Sequence, residues 1–129
     1  MKQRVTVDGV SAPGAPYASA IALTGGRLVY TSGVLARDAA GGIAHPGDAE
    51  RQTQACFDSI EKILRAAGGT LRDIVKMTVF LRDGADYDAM NRARRARLAG
   101  IDYASSTVVT GLVASAALVE IECVAAVAP

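Results

Sequence analysis

The chain has 129 residues, half of them apolar, so it can build a hydrophobic core and is not a disordered chain. The chain has 14 Lys and Arg against 13 Asp and Glu, so non-specific electrostatic binding to nucleic acid is not expected. Residues 1–129 are predicted to form a single domain. The apolar stretch over residues 107–129 is interrupted by Glu120 and Glu122, which argues against a membrane span.

The chain contains two cysteines, Cys56 and Cys123, and one histidine, His45. A structural zinc site needs about four such ligands, so none is expected. Two cysteines do not make a disulfide scaffold, and a reducing cytoplasm is the expected location. Both cysteines are predicted to be small core residues. His45 lies in a loop of glycines and prolines and is expected to be exposed, because a lone histidine forms neither a metal site nor a triad.

The first half of the chain is predicted to contain three strands, a loop and one long helix. Alternating and β-branched residues place the strands at 2–7, 18–23 and 28–34. Gly33, inside the third strand, predicts a bulge or a close approach to the backbone. Asp48 is predicted to cap a helix that extends to residue 67, where glycines end it.

The second half is predicted to contain a strand at 74–81, a helix from Asp86 to residue 99, and strands at 107–111 and 117–127. The order β-β-β-α-β-α-β-β predicts an α+β domain with two helices packed on one face of a mixed sheet. The strands at 74–81 and 117–127 carry apolar residues on both sides, and two helices can cover only one side. Another chain must bury the remaining face, so the sequence predicts a homo-oligomer.

Glu120 is the most unusual candidate, because it lies in the most apolar strand. A period of two places Glu120 and Glu122 on one face of that strand and Cys123 on the other. A carboxylate in such surroundings needs polar partners or its pKa rises, and a raised carboxylate pKa suits a general acid or base. The alternatives are that this face is solvated or that the carboxylate pairs with an arginine.

Other polar groups admit ordinary explanations. The hydroxyl of Ser32 could face a pocket, or it could lie in an ordinary strand with a bulge. No histidine lies near Ser32 in the sequence to activate it as a nucleophile. The second helix carries four arginines that scatter around its circumference, namely Arg92, Arg94, Arg95 and Arg97. They predict a solvated or intersubunit ion-pairing helix more than a nucleic-acid patch.

Six segments, in order along nearly the whole chain, resemble the Rid family, also called YjgF, RidA or L-PSP endoribonuclease. They are residues 12–17, 28–33, 66–69, 73–81, 87–91 and 117–122. The resemblance implies a chorismate-mutase-like fold and a homotrimer with an inner barrel of sheets, outer helices and clefts between subunits. It also implies hydrolysis of reactive enamines and imines, such as 2-aminoacrylate, to 2-oxo acids and ammonia. No metal or organic cofactor is implied.

The resemblance assigns six positions to the cleft, namely Tyr17, Ser32, Gly33, Asn91, Ser105 and Glu120. Glu120 takes the family's position for orienting or activating water toward the imine carbon. Tyr17 and Asn91 are expected to shape and polarise the pocket, and backbone groups near Ser32 and Gly33 to line it. The expected ligand is a small molecule bound between subunits, with no nucleic acid or membrane partner.

Ser105 departs from the family pattern, because deaminating relatives carry an arginine there that pairs with the substrate carboxylate. A serine cannot supply that charge, so a specificity altered from 2-aminoacrylate and 2-iminobutanoate is expected. Arg94 and Arg97 are hypothetical substitutes, with an intersubunit ion pair as the favoured alternative.

The sequence is compatible with three functions. The first is a Rid-like hydrolase with Glu120 as its acid–base group. The second is a non-catalytic small-molecule-binding or regulatory trimer, which Ser105 favours. The third is an endoribonuclease, which the balanced charge and the single histidine argue against.

Overall fold

The computed structural model describes residues 1–129. Its elements are β1 (Lys2–Val5), β2 (Ala20–Leu23), β3 (Arg27–Tyr30), α1 (Ala49–Ala66), β4 (Ile74–Leu81), α2 (Tyr87–Arg97), β5 (Ala104–Val109) and β6 (Val119–Val127). The predicted order of strands and helices is confirmed. Neither helix is long and apolar enough to cross a membrane.

The strands form two sheets. β1 and β2 form an antiparallel pair, and the other four strands form a mixed sheet in the order β3-β6-β4-β5. In the larger sheet β4 and β5 are parallel, whereas β6 runs antiparallel to both β3 and β4. β6, which carries Glu120, therefore lies inside the sheet with a hydrogen-bonded strand on each side.

Both helices pack on one face of this mixed sheet, as the sequence predicts. Asp48 caps α1, since its side chain accepts a hydrogen bond of 3.0 Å from the backbone N–H of Arg51. The core between α1 and the sheet contains Cys56, Phe57, Ile60, Leu64, Met77, Val79 and Ile121, all fully buried. The strand residues in this core alternate with half-buried ones, so each strand has a helix-covered face and an open face.

The open face of the sheet keeps large apolar side chains in solvent. Leu28 and Tyr30 on β3 are 48% and 71% exposed, and Val108 on β5 is 42% exposed. Phe80 lies between them on β4 and is only half-buried. The predicted uncovered apolar face is therefore present, and apolar patches of this kind mark interaction surfaces.

Several boundaries differ from the prediction. β1 and β3 end earlier, at Val5 and Tyr30, so Gly33 lies beyond β3, while β2 and β6 begin two residues later than predicted. β5 begins at Ala104 instead of residue 107, because its parallel ladder with β4 includes Ser105 and Ser106, two polar residues that propensity does not favour in strands. Asp86 precedes α2 but makes no side-chain capping bond. Asp83 instead caps the short 3-10 turn that precedes α2, because its side chain accepts a 2.9 Å hydrogen bond from the N–H of Ala85.

Gln52 joins α1 to the segment that enters β6. It is fully buried, its Nε2 donates to the carbonyls of His45 and Ala116 at 3.2 Å, and its Oε1 accepts from the N–H of Leu118 at 2.8 Å. We expect Gln52→Leu to lower the free energy of unfolding by about 2–4 kcal/mol, because it leaves buried backbone groups unpaired. Urea unfolding measures this loss.

Gln54→Leu is the matched control for that prediction, because Gln54 lies on the same helix with an exposed side chain. Its effect should stay within about 0.5 kcal/mol. Equal losses from the two variants would contradict the anchoring role of Gln52.

Candidate functional site

The carboxylate of Glu120 lies against the backbone of Gly33. Glu120 is half-buried on the open face of β6, opposite Phe80 of β4. A Cβ atom added to Gly33 would overlap Glu120 Oε2 and lie 2.9 Å from its carboxyl carbon. Two backbone hydrogen bonds between Val34 and Ile121, of 2.7 and 3.0 Å, fix this approach. The close approach predicted at Gly33 is thus found, and its partner is the Glu120 side chain.

A methyl group at position 33 is expected to displace the Glu120 carboxylate without unfolding the protein. The overlapping atoms are the far end of a flexible side chain, and Gly33 is exposed. We expect Gly33→Ala to change the melting temperature by less than about 4 °C, which corresponds to about 1 kcal/mol or less. Any reaction that uses the carboxylate should slow by at least about tenfold.

Thermal unfolding and a rate measurement on Gly33→Ala test this expectation together. Gly111→Ala is a suitable control, since its added Cβ meets nothing within 4 Å. An active Gly33→Ala protein of normal stability would show that the position of this carboxylate is unimportant.

Cys56 borders the same region from the core side. Its Sγ donates to the carbonyl of Val34 at 3.4 Å. Burial, and secondarily the charge of Glu120, raise the pKa of Cys56 to about 12. The thiol therefore stays protonated at neutral pH and is no nucleophile. Both cysteines are buried free thiols, so the prediction that they are core residues is confirmed.

A second group of predicted site residues surrounds Arg94, which is fully buried. Its Nε and Nη2 donate to Asn91 Oδ1 at 3.1 and 2.8 Å. Nη1 donates to Ser105 Oγ at 3.1 Å, and Nη2 donates also to the hydroxyl of Tyr87 at 3.1 Å. The guanidinium of Arg94 on α2 is thus bonded to Ser105, one of the predicted cleft residues.

Aromatic rings enclose this guanidinium. Its carbon lies 5.4 Å from the ring centre of Tyr17 and 5.8 Å from that of Tyr87, within the range of cation–π attraction. Tyr103 is 1% exposed, and its hydroxyl has no hydrogen-bond partner. Burial raises the pKa of Tyr103, while the charges of Arg94 and Arg95 act in the opposite direction. The hydroxyl is a buried donor without an acceptor.

The other arginines of α2 lie outside this group. Arg97 pairs with Asp58 and Glu61 of α1 within the same chain, at 2.5 and 3.5 Å, so its guanidinium is engaged away from the Arg94 group. Arg92 pairs with Glu50 at 2.7 Å. The expected solvated or intersubunit ion pair is wrong for Arg94, because its guanidinium is buried and bonded to neutral oxygens.

The structure brings the six predicted site residues into two groups. Tyr17, Asn91 and Ser105 surround Arg94 on the helix side of the sheet, where Ser105 lies opposite buried Met77. Glu120 and Gly33 meet on the open face, with Ser32 exposed beside Gly33. β4 separates the strand of Ser105 from that of Glu120, so one chain alone does not unite the groups.

Sequence reasoning did not place Tyr87 and Tyr103 in the site and left Arg94 as a hypothesis. A signal for Arg94 was available, because it follows Met90 by one helical turn and Tyr87 by two. It therefore shares the face of α2 that carries these two apolar side chains. No three His, Cys, Asp or Glu side chains converge in a way that could hold a metal ion.

Comparison with known proteins agrees with this fold. A family profile described as Endoribonuclease L-PSP matches residues 9–127. The chain is 38% identical over 124 residues to the 3-aminoacrylate deaminase RutC of Acinetobacter baylyi, covering 96% of this chain and 97% of that protein.

Solved structures give the same result. YyfB of Yersinia pestis, a conserved Rid-family protein of unknown function, superposes with a TM-score of 0.84 at 25% identity over 98% of both chains. RidA from an Antarctic Psychrobacter superposes with a TM-score of 0.73 at 29% identity, over 97% of this chain and 99% of that one. With its mixed sheet, two helices and matched profile, the chain belongs to the Rid (YjgF/RidA) family.

Proposed function

We propose that this protein hydrolyses the C=N bond of a small imine, or of the enamine in equilibrium with it, and releases ammonia. Glu120 is its acid–base group. One observation carries the proposal: the Glu120 carboxylate is held against Gly33 and is free of ion pairs. The ion pairs of the chain use other carboxylates, namely Asp48, Glu50, Asp58, Glu61 and Asp102. The similarity to a 3-aminoacrylate deaminase supports the reaction class.

The chemistry requires one carboxylate and one water. The carboxylate takes a proton from water as the water oxygen bonds to the imine carbon, and it passes that proton to the imine nitrogen, which gives a carbinolamine. The same carboxylate then moves the hydroxyl proton of the carbinolamine to the amino nitrogen, so the C–N bond breaks, the C=O bond forms and ammonia leaves. A half-buried carboxylate fits both steps, because it can face a ligand and still exchange protons with water.

The cleft of this proposal lies between subunits of a homotrimer. The open face carries Glu120 and exposed Leu28, Tyr30 and Val108, so a neighbouring copy packed there would cover apolar surface beside the carboxylate. Within one chain, β4 separates the Arg94 group from Glu120. A neighbouring subunit would therefore bring its own Arg94 group to the Glu120 carboxylate. The trimeric number comes from the family resemblance, and sedimentation velocity tests it. The two buried free thiols support a reducing, cytoplasmic location.

A specificity altered from the usual 2-imino acids belongs to the same proposal, because Ser105 lacks the charge of the family arginine. Ser105 also favours a second candidate, a trimer that binds a small molecule without turnover. An endoribonuclease role has less support, since several arginines of α2 are engaged within the chain.

Ammonia release separates these candidates. The purified protein is given 3-aminoacrylate or 2-iminobutanoate generated in situ, and ammonia and imine are followed against a protein-free control. Hydrolysis of either compound above the control rate supports the deaminase proposal. Binding without any acceleration of either reaction supports the non-catalytic candidate and overturns the deaminase.

A further inference from the structure

The Arg94 group contains more hydrogen-bond donors than acceptors. A guanidinium has five N–H donors. Asn91 Oδ1 accepts two of them, Ser105 Oγ one and the Tyr87 hydroxyl one, which leaves one N–H of Nη1 without an acceptor. The oxygens of all three neighbours are therefore turned toward Arg94.

The remaining hydrogens of these neighbours are donors without acceptors in the chain. With Oδ1 facing the guanidinium, the Nδ2 amide of Asn91 faces the other way. The hydroxyl of Ser105 keeps its hydrogen after accepting from Arg94, and the buried hydroxyl of Tyr103 has no partner at all. Asn91 and Ser105 are half-buried, so their free hydrogens can reach a ligand at the surface of the group.

The positive charge of this group is uncompensated. No carboxylate of the chain lies within 4.0 Å of Arg94, although Arg92 and Arg97 on the same helix each have one. A buried cation without a counterion is costly, and screening by solvent is weak there. Tyr17 and Tyr87 attract the guanidinium through their ring faces, and their rings hold its plane without neutralising the charge.

We propose that Arg94, oriented by Asn91, Ser105 and Tyr87, makes the surface of this group a binding site for the carboxylate of an anionic substrate. This inference rests on the proposed function and names the substrate class of that site. Ser105 and Asn91 donate to the carboxylate, and Arg94 behind them supplies the charge. The charge of this site therefore comes from α2 and not from position 105, and the substrate carries a carboxylate.

Binding of a stable product-like pair tests the proposal without requiring turnover. The probes are 2-oxobutanoate and its neutral amide, 2-oxobutanamide, titrated into the wild-type protein and followed by NMR chemical shifts. We expect the carboxylate to bind about 10–100-fold more tightly than the amide. A wild-type protein that binds both equally overturns the proposal, whatever any variant does.

Arg94→Met tests whether the preference for the carboxylate depends on this residue. Methionine removes the charge but keeps a long side chain between the two tyrosine rings. Affinity for 2-oxobutanoate should fall about 10-fold or more, while affinity for 2-oxobutanamide should change less than about 3-fold. The matched control is Arg92→Met, which removes the same charge from an exposed position on α2. It should leave both affinities unchanged.

Other outcomes overturn the inference. If Arg94→Met lowers the affinity for both ligands equally, the arginine has only a structural role. If both affinities are unchanged, the anion binds elsewhere. If the variant does not fold, the wild-type comparison still decides. A protein that prefers the carboxylate but releases no ammonia would retain this inference and lose the proposed function.

Discussion

Glu120→Gln is expected to lower kcat/KM for imine hydrolysis by about 10²–10⁴-fold while leaving the fold and ligand binding intact. The amide has nearly the shape of the carboxylate and can occupy the same space against Gly33. It cannot take a proton from water or return one to the leaving nitrogen. Because Glu120 makes no ion pair in the chain, its replacement leaves no partner charge unpaired. Ammonia release gives the rate, and NMR titration with 2-oxobutanoate gives binding.

Glu122→Gln is the matched control for this loss. Glu122 lies two residues further along β6, on the same open face, opposite Thr78 of β4. It is exposed and has no glycine against its carboxylate. Its replacement should keep the rate within about 3-fold, since it removes the same charge from the same face. Equal rate losses from the two variants would mean that the face needs negative charge in general and not a base at position 120.

The sequence alone predicted the elements that depend on local chemistry. Asp48 caps α1 because its short acidic side chain can reach the free N–H groups of the first turn. Gly33 predicted a close approach because only a residue without Cβ permits one. The uncovered apolar face followed from counting how much of the sheet two helices can bury. Each of these inferences needs only the properties of a residue and its near neighbours in the chain.

The Arg94 group could not be predicted in the same way, because its partners come from three separate segments. Tyr17 lies in the loop before β2, Asn91 one turn back on α2, and Ser105 on β5. An arginine on an amphipathic helix is usually exposed, and the charge patterning of α2 favoured a solvated helix. The helical period places Arg94 on the face of Met90, but its contacts with Tyr17 and Ser105 are evident only in the folded chain. β5 was also predicted to begin after Ser105, which left that serine outside the sheet.

Introducing the family arginine by Ser105→Arg is expected to harm this protein. On the sequence alone, that change is the obvious way to gain 2-iminobutanoate hydrolysis. In the structure, Ser105 Oγ is 3.1 Å from the guanidinium of buried Arg94, so a second arginine brings two like charges together. At about 4 Å and an effective dielectric constant of about 20, that repulsion is about 4 kcal/mol. We expect Ser105→Arg to lower the free energy of unfolding by about 2–4 kcal/mol, with no gain in activity.

Moving the guanidinium instead of adding one should remove the conflict. Arg94→Tyr combined with Ser105→Arg places one guanidinium on β5 and an uncharged ring on α2. The double variant is expected to recover most of the stability lost by Ser105→Arg and to keep kcat/KM for 2-iminobutanoate within about 10-fold of wild type. Urea unfolding and ammonia release on both single variants and the double variant measure the coupling between the positions. Additive effects of the two changes would contradict it, since they would mean that the guanidiniums at 94 and 105 do not share one pocket.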